Sequence, residues 1–390
     1  MHKNRFTKLL LNSDFVLVVF ILFAVAAAVG QYLKGKPGES YTRYNNFIIF
    51  RESFHHLVHY IDLYINHEPE HFDYYKYSPA FAVAMAPFTF LPDLPGLILW
   101  DVMNALVLFF AIKNLPVKNE TVKIYILWFV LIELMTTMQN SQSNGLVVAF
   151  LVWGFNQFEK RNVFLASLFI LLSAYIKIYG VLACLLFLFY PDKIKFILYA
   201  ALWMLVLTFI PLLFVNIDQL LLLYKSWYNI VMNDYSNEYG ISLIGILHKW
   251  FHVEPGKNLL LLTGVLLLCL PLARTSFYKE SNFRLTWFAS LLLWIIIFNP
   301  RAESSTFVIA ITGIALWFFN SEKKPVDVIL VISALIITSF SPTDLFPRYL
   351  REQYVLPYVL KALPCILIWI KITIDLFTKK SFPDSVKVIT

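Results

Sequence analysis

The sequence predicts an all-α protein that crosses a membrane about twelve times, and three observations lead to this fold class. Hydrophobic residues make up 59% of the 390 positions, charged residues only 15%, and the mean hydropathy is +0.67. Soluble domains are roughly 45–50% apolar and about 25% charged, so the composition excludes an ordinary soluble enzyme. The other two observations are a series of long apolar runs and the placement of basic residues between them.

The apolar runs have the length of membrane helices, because a hydrocarbon core of about 30 Å needs roughly 20 helical residues. They lie at 13–30, 97–115, 123–138, 145–157, 163–175, 178–191, 194–215, 258–273, 285–299, 306–320, 326–340 and 355–373. A short, proline-containing run at 79–92 predicts a re-entrant or juxtamembrane helix. The short pair 163–175 and 178–191 fits a re-entrant hairpin with Lys177 near its tip.

Basic residues predict the orientation, because Lys and Arg are enriched in short cytoplasmic loops. Lys3, Arg5 and Lys8 place the N-terminus inside, and most later basic residues then fall in inner loops or the C-terminal tail. We therefore expect a multi-pass protein of the cell (inner or plasma) membrane, with both termini cytoplasmic and the functional face outer, or periplasmic. Residues 1–390 form one integral domain in this reading, with long outer loops at 31–96 and 216–257.

Three turns predicted to be outside carry hydrogen-bonding side chains: QNSQSNG (139–145), NPRAESST (299–306) and SPTDLFPR (341–348). Polar groups at span ends cost several kcal/mol if they face lipid unsatisfied, so we expect them to converge on a cavity. Helix capping is the alternative for any one turn, since Asn, Ser and Asp are preferred N-cap residues. Three such turns on one face favour the cavity.

The first outer loop holds five of the eight histidines, and its apolar positions predict an amphipathic helix over 46–64 lying at the membrane interface. His55 and His59 are four residues apart and so share a helix face, which is one arrangement for binding a metal. A solvated helix face is the more common meaning of this spacing, and the three cysteines lack zinc-site spacing. We predict no metal ligands and no required cofactor, and leave a divalent cation as an option.

Two charged residues fall within or beside apolar runs. Glu133 is an intramembrane carboxylate and therefore a functional candidate, with a hydrogen-bonded bridge between helices as the equal alternative. Lys177 either extends toward the membrane surface or holds an anionic group such as a lipid phosphate.

The order of several motifs resembles glycosyltransferase family 87, the polyprenyl-phosphate-mannose-dependent mannosyltransferases of the GT-C superfamily. The motifs are FDYYKYSPAFAVAMAPFTFLP (72–92), the W-x-x-x-N element from Trp100 to Asn104, QNSQSNG, and AYIKIYG at 174–180. The resemblance covers most of 40–190. It implies a GT-C-like helical bundle that transfers a hexose, mannose in this family, from a polyprenyl-phosphate donor to a lipid or glycan acceptor with inversion at the outer face.

The partners implied are the donor, the acceptor and membrane lipids, and no nucleic acid. The predicted substrate-binding residues are Asn46, Lys76, Tyr77, Gln142, Asn144, Lys177, Arg301 and Asp344. The family's catalytic aspartate stands early in the first outer loop, where this chain has Asn46, and an amide cannot act as a general base. The predicted replacements are Glu303, Asp62 and Asp73, with Glu52, Asp344, His55 and His56 behind them. We prefer Glu303, because it lies beside Arg301 in a hydrogen-bonding turn.

Two other functions remain open at this point. One is a polyprenyl-lipid carrier or transporter that has lost the chemistry, and the other is a structural subunit of an envelope-polysaccharide assembly. A cavity in which Lys177, Arg301 and an acid converge would favour the enzyme, a through-going pathway would favour transport, and a flat, closed outer face would favour the structural subunit.

Overall fold

The computed structural model describes residues 5–34, 42–68, 70–233, 239–254 and 256–382, and over these ranges the chain is helical without a strand. The predicted all-α class is therefore confirmed. The α-helices are α1 (Arg5–Leu10), α2 (Ser13–Leu33), α3 (Asn45–Val58), α4 (Pro79–Ala84), α5 (Ala86–Thr89), α6 (Asp93–Lys113), α7 (Glu120–Gln139), α8 (Asn144–Glu159), α9 (Val163–Ile176), α10 (Lys193–Phe209), α11 (Ile217–Asn233), α12 (Leu243–Phe251), α13 (Lys257–Cys269), α14 (Ser281–Ile297), α15 (Phe307–Phe319), α16 (Pro325–Ser333), α17 (Arg348–Leu350) and α18 (Leu363–Thr378). Segments of 3₁₀ helix lie at Ile178–Phe189, Ile210–Leu213, Leu270–Ala273, Thr275–Phe277, Ser304–Thr306 and Leu360–Ala362, and π segments at Ala334–Phe340 and Arg351–Val355.

Four helical segments are long and apolar enough to cross a membrane: α2, α6, α7, and α10 with its 3₁₀ extension to Leu213. A fifth candidate is the helix pair Arg348–Val355 and Leu360–Thr378, whose two halves meet at 90°. Six further apolar helices have only 10–17 residues. The chain is thus an all-helical membrane protein, and the count of about twelve crossings stays a prediction.

The centre of the bundle is formed by α14 and α15, which pack on each other and bury nearly every side chain. Both are apolar on all sides, as expected of helices surrounded by other helices. The segment from α10 to Leu213 is peripheral: only 17% of its most apolar window is buried, against 67% for α7. Its exposed leucines and isoleucines are suited to contact lipid tails.

The proline-containing run 79–92 forms two short helices, α4 and α5, of six and four residues. At 1.5 Å per residue they extend about 15 Å, which is half of the hydrocarbon core. Both pack against α3. These helices are therefore too short to span the hydrocarbon core, and the re-entrant or juxtamembrane placement of the segment stays a prediction.

The helix predicted over 46–64 is shorter than expected, because α3 ends at Val58. Tyr60 adopts a left-handed φ of 60°, and the Ile61 amide N–H donates to the His56 carbonyl at 3.0 Å. These two features form a Schellman cap, which terminates a helix. Eight of the fourteen α3 residues are buried, so one side of the helix packs against the protein, and its position at the membrane interface stays a prediction.

The second outer loop, predicted over 216–257, contains two helices, α11 and α12. Residues 234–238, in the second half of the Tyr/Trp-rich stretch YKSWYNIVMNDYSNEYG (224–240), lie outside the described residues. Beyond them, the amide N–H groups of Gly240 and Ile241 donate to the carbonyls of Pro300 and Ala302 at 2.8 and 2.7 Å. This segment is therefore attached to the 299–306 turn by main-chain hydrogen bonds.

Two sets of contacts join loops that the sequence predicts on the same side of the membrane. The Glu159 carboxylate, from a loop predicted to be inside, pairs with Arg284 from another such loop at 2.6 Å. The side chains of Thr137 and Asn144 donate to the Ser305 carbonyl at 2.7 and 2.9 Å. Two of the polar turns predicted to be outside are thus in direct contact.

Candidate active site

A cavity of about 690 Å³ lies at the end of the bundle where these polar turns meet. This volume is within the range of about 300–1,000 Å³ that is typical of small-molecule sites. Eight of the residues predicted to act on substrate line it: Asn46, Asp73, Lys76, Tyr77, Gln142, Lys177, Arg301 and Glu303. They come from five separate segments of the chain, so the fold brings together residues that the sequence keeps far apart.

Lys177 lies at the junction between α9 and the following 3₁₀ helix, in an extended conformation with φ −136° and ψ 117°. Its ammonium donates to the Asn144 side-chain oxygen at 2.7 Å and lies 5.9 Å from the centre of the Tyr77 ring. Both contacts are with neutral groups, so the positive charge stays available to an anion in the cavity. Asn144 itself is fully buried, contacts Lys177 and does not line the cavity, so its predicted role in binding substrate would act through Lys177.

The wall beside Lys177 is fixed by Tyr77, whose hydroxyl donates to the Gln142 side-chain oxygen at 3.1 Å. Burial, and secondly the negative charge of Glu303, raise the pKa of Tyr77. The phenol therefore remains protonated and keeps this hydrogen bond at neutral pH. Glu303 and Tyr77 line the same cavity, which accounts for this electrostatic effect.

Two carboxylates line the cavity, and they differ in the number and strength of the hydrogen bonds and ion pairs that they make. Asp73 has a left-handed backbone with φ 79°, pairs with the Lys76 ammonium at 3.0 Å, and accepts the Tyr74 amide N–H at 2.7 Å. Glu303 is exposed to the cavity and, among the described residues, its carboxylate accepts one long hydrogen bond of 3.4 Å from Ser305. Glu303 is therefore the carboxylate better placed to accept a proton from a substrate.

Arg301 completes the polar lining. Burial lowers the pKa of Arg301, while the charge of Asp73 opposes that effect, and the guanidinium stays protonated in any accessible pH range. Among the described residues, the lining holds three cations (Lys76, Lys177 and Arg301) and two carboxylates. The surplus of positive charge is suited to a phosphate group.

Three other predicted acids lie outside the cavity lining. Asp62 accepts hydrogen bonds from the Ser226 hydroxyl at 2.7 Å and the Tyr64 amide at 3.1 Å, so its carboxylate joins the first loop to α11. Asp344 is exposed in the turn before α17, and Glu52 pairs with Arg51 at 2.9 Å. The sequence places all of these acids on the same predicted face and favours Glu303 only through its position beside Arg301.

Glu133 belongs to a buried ion pair that contacts the turn carrying Glu303. Its carboxylate lies 2.9 Å from the Lys361 ammonium, and both side chains are buried. Lys361 also donates to the Ser304 hydroxyl and carbonyl at 2.8 and 3.0 Å. Of the two alternatives for Glu133, the structure shows the bridge between helices, and the bridge holds the turn that carries Glu303.

Several aromatic and aliphatic lining residues were not predicted: Tyr74, Tyr179, Trp227, Ile230, Val231, Tyr239 and Ile241. The spacing of Trp227, Ile230 and Val231 is that of one helix face and could have indicated α11. The Tyr179 hydroxyl is buried and has no hydrogen-bond partner in the described part of the chain. A buried hydroxyl at a cavity wall is a candidate to bond a substrate, since an unmade buried hydrogen bond is unfavourable.

Gly240→Ala is expected to distort the site. A Cβ at this position would lie 2.5 Å from the Ala302 amide nitrogen and 2.8 Å from Arg301 main-chain atoms, so the backbone pairing must open. We expect about 1–3 kcal/mol of destabilisation, measured by thermal unfolding in detergent, together with weaker binding of substrate. Gly256→Ala is the matched control, because a Cβ there meets nothing within 4 Å. Equal behaviour of the two variants would contradict the role given to the main-chain pairing.

An all-helical membrane protein in which carboxylates face several cations across one cavity is suited to group transfer from an anionic donor. The chain belongs to glycosyltransferase family 87, whose family model matches residues 75–342. The family suggested by the sequence motifs is thereby confirmed, and the protein is a membrane glycosyltransferase. A comparison with curated proteins finds no matching sequence.

Some of the residues that line the cavity lie inside the range matched by the family model, and others lie outside it. Tyr77, Gln142, Lys177, Arg301 and Glu303 lie inside the matched range. The first-loop residues before position 75, which include Asn46 and Asp73, lie outside it.

Proposed function

We propose that this protein transfers a hexose, mannose by the resemblance, from a polyprenyl-phosphate donor to a lipid or glycan acceptor at the outer face of the membrane. The proposal includes a GT-C-like topology of about twelve crossings with both termini cytoplasmic. The observation that carries it is the convergence of Glu303, Lys177 and Arg301 on one cavity. This convergence supports an enzyme over a lipid carrier or a structural subunit.

The donor phosphate is the group that Lys177 and Arg301 hold. When the bond between the anomeric carbon and the phosphate oxygen breaks, its electron pair stays on the phosphate. The added charge is stabilised by an ammonium and a guanidinium that are already in place, which lowers the barrier most in a site that excludes water. The unpartnered Tyr179 hydroxyl is a further donor toward the same group.

The acceptor hydroxyl is the group that Glu303 activates. As the hydroxyl oxygen forms its bond to the anomeric carbon, the Glu303 carboxylate takes the proton. Attack from the side opposite the phosphate inverts the configuration at that carbon. Asp73 is less suited to this step, because Lys76 and the Tyr74 amide already occupy its carboxylate oxygens.

Asn46 has a positioning role in this scheme. Its side-chain NH₂ donates to the Asn140 carbonyl at 2.9 Å, which joins α3 to the turn after α7. An ionised carboxylate at this position would place two acceptors against each other, so the amide suits the contact. The proton-accepting role therefore falls to Glu303.

The test is a transfer assay with the purified protein in detergent, radiolabelled polyprenyl-phosphate hexoses and a membrane lipid extract as acceptor. We expect transfer from polyprenyl-phosphate mannose, an inverted anomeric configuration in the product, and no transfer from nucleotide sugars. Lys177→Met is expected to lower kcat/KM about tenfold through loss of a phosphate contact. Lys225→Met, an exposed lysine on α11 outside the lining, is the matched control.

Failure with every polyprenyl-phosphate hexose, in protein that unfolds cooperatively on heating, would overturn the donor assignment. Transfer from a nucleotide sugar alone would do the same while leaving the family membership intact.

A further inference from the structure

A cluster of possible metal ligands lies in the first loop. It consists of His56, His67 and Glu70, each of which offers one ligand atom within 4.8 Å of the other two. The His56 Nε2 atom lies 2.8 Å from a Glu70 carboxylate oxygen, and the His56 and His67 rings stack with centroids 3.9 Å apart. None of the three lines the cavity described above.

The hydrogen bonds around the cluster are those that metal-ligating histidines make. His67 uses Nε2 in a 2.8 Å hydrogen bond with the Asp62 carbonyl, which makes Nε2 the protonated nitrogen and leaves the Nδ1 lone pair for a ligand. A metal-bound imidazole almost always donates its other N–H to a carbonyl or carboxylate in this way. The backbone thus selects the tautomer that a metal requires.

A third buried histidine lies beside the cluster. His56 and His71 are both buried, and the His71 ring packs at 5.7 Å from the His67 ring centre and 6.4 Å from that of His56. Three imidazoles and the Glu70 carboxylate are therefore concentrated where α3 meets the loop.

The nearby pair His55 and His59 lacks these features, although it has the spacing that the sequence singles out. Their rings lie 4.1 Å apart on the exposed side of α3. His59 Nδ1 contacts the His55 carbonyl at 2.8 Å, and no carboxylate completes a group of three with them among the described residues. This pair therefore serves as an internal comparison for the cluster.

We propose that His56, His67 and Glu70 bind a divalent transition-metal ion, with Zn²⁺ the best fit. Two imidazoles and one carboxylate are a known zinc ligand set, and water completes the tetrahedron. Bonds of about 2.0–2.1 Å place tetrahedral ligands about 3.3 Å apart. The Glu70 side chain, which is 47% exposed, has room to rotate into that geometry.

The ion would fasten the loop to α3. His56 belongs to α3, whereas His67 and Glu70 belong to the loop that leads to Asp73 at the cavity wall. A metal bridge would therefore hold the start of the cavity wall at a fixed distance from α3. This role is independent of which sugar is transferred.

The experiment uses the full-length protein in detergent, stripped with a chelator and then dialysed. Metal content after incubation with ZnCl₂ is measured by inductively coupled plasma mass spectrometry, and affinity by competition with a zinc-binding dye. We expect one Zn²⁺ per chain, and a fall in affinity of at least tenfold for both His67→Gln and Glu70→Gln. Incubation with CoCl₂ should give the intense visible absorption of a tetrahedral Co²⁺ site.

His55→Gln and His59→Gln are the matched controls and should bind Zn²⁺ as the parent protein does. Glu70 is exposed, so Glu70→Gln remains informative even if a histidine variant fails to fold. Absence of bound metal in the parent protein would overturn the proposal. Binding that survives both cluster substitutions but is lost in His55→Gln or His59→Gln would also overturn it, and would assign the metal to that pair.

Discussion

Glu303→Gln is expected to lower kcat/KM for sugar transfer at least a hundredfold while the protein stays folded. Glutamine keeps the size of the side chain and can still accept the 3.4 Å hydrogen bond from Ser305, but it cannot accept the acceptor's proton. Loss of a general base typically reduces a rate by about 10²–10⁴. Because Glu303 is exposed to the cavity, the substitution leaves no buried group unpaired. Initial rates with a radiolabelled donor give the effect, and a melting curve confirms the fold.

Asp73→Asn tests which of the two cavity carboxylates, Asp73 or Glu303, is the general base. We expect a smaller loss, about tenfold, because this acid already pairs with Lys76 and acts mainly by shaping the wall. Asp218→Asn, an exposed acid on α11 outside the lining, should transfer sugar at the parent rate. A hundredfold loss in Asp73→Asn, with Glu303→Gln unaffected, would show that Asp73 is the base.

Lys361→Met is expected to destabilise the protein by about 3–5 kcal/mol, the cost of leaving one member of a buried ion pair without its partner. Lys361 is 4% exposed and Glu133 is fully buried, so water cannot replace the lost contact. The Ser304 hydroxyl and carbonyl lose their donor as well, which loosens the turn before Glu303. Thermal unfolding in detergent should show a large fall in the melting temperature, and transfer activity should fall with it.

A double substitution distinguishes the ion pair from simple packing. Adding Glu133→Gln to Lys361→Met removes the unpaired charge, so the double variant should be more stable than Lys361→Met alone. The exposed Lys225→Met should unfold like the parent protein. An unchanged melting temperature for Lys361→Met would show that this pair does not hold the turn.

The lining residues that could be predicted are those that stand out against apolar surroundings. Gln142, Lys177 and Arg301 are polar or charged residues at the ends of apolar runs. In a membrane protein such groups are unfavourable against lipid, so they are usually found where a shared polar cavity receives them. Their convergence therefore follows from composition and position, before any contact is known.

Local backbone geometry was harder to predict from the sequence. The end of α3 depends on a left-handed residue, and here that residue is Tyr60 instead of the usual glycine or asparagine. The sequence shows an apolar pattern continuing past Val58, which made the predicted helix too long. Similarly, the tyrosine and tryptophan content of 224–233 concealed a helical face that lines the cavity.

Contacts between residues that lie far apart in the chain could not be predicted from the sequence alone. Glu133 and Lys361 are 228 positions apart. The His56–Glu70 contact spans a shorter distance, but it depends on how the loop turns back on α3. These contacts are set by tertiary packing, which no local pattern in the sequence encodes.

The hydrogen bonds from Gly240 and Ile241 to the 299–306 turn have a consequence for how this enzyme could diversify. They join main-chain atoms only, so they impose no demand on the side chains at 301 and 303. Exchanging those side chains alters the charge presented to substrate while the turn keeps its shape. A change or loss of those side chains can therefore alter the chemistry of the site at little structural cost.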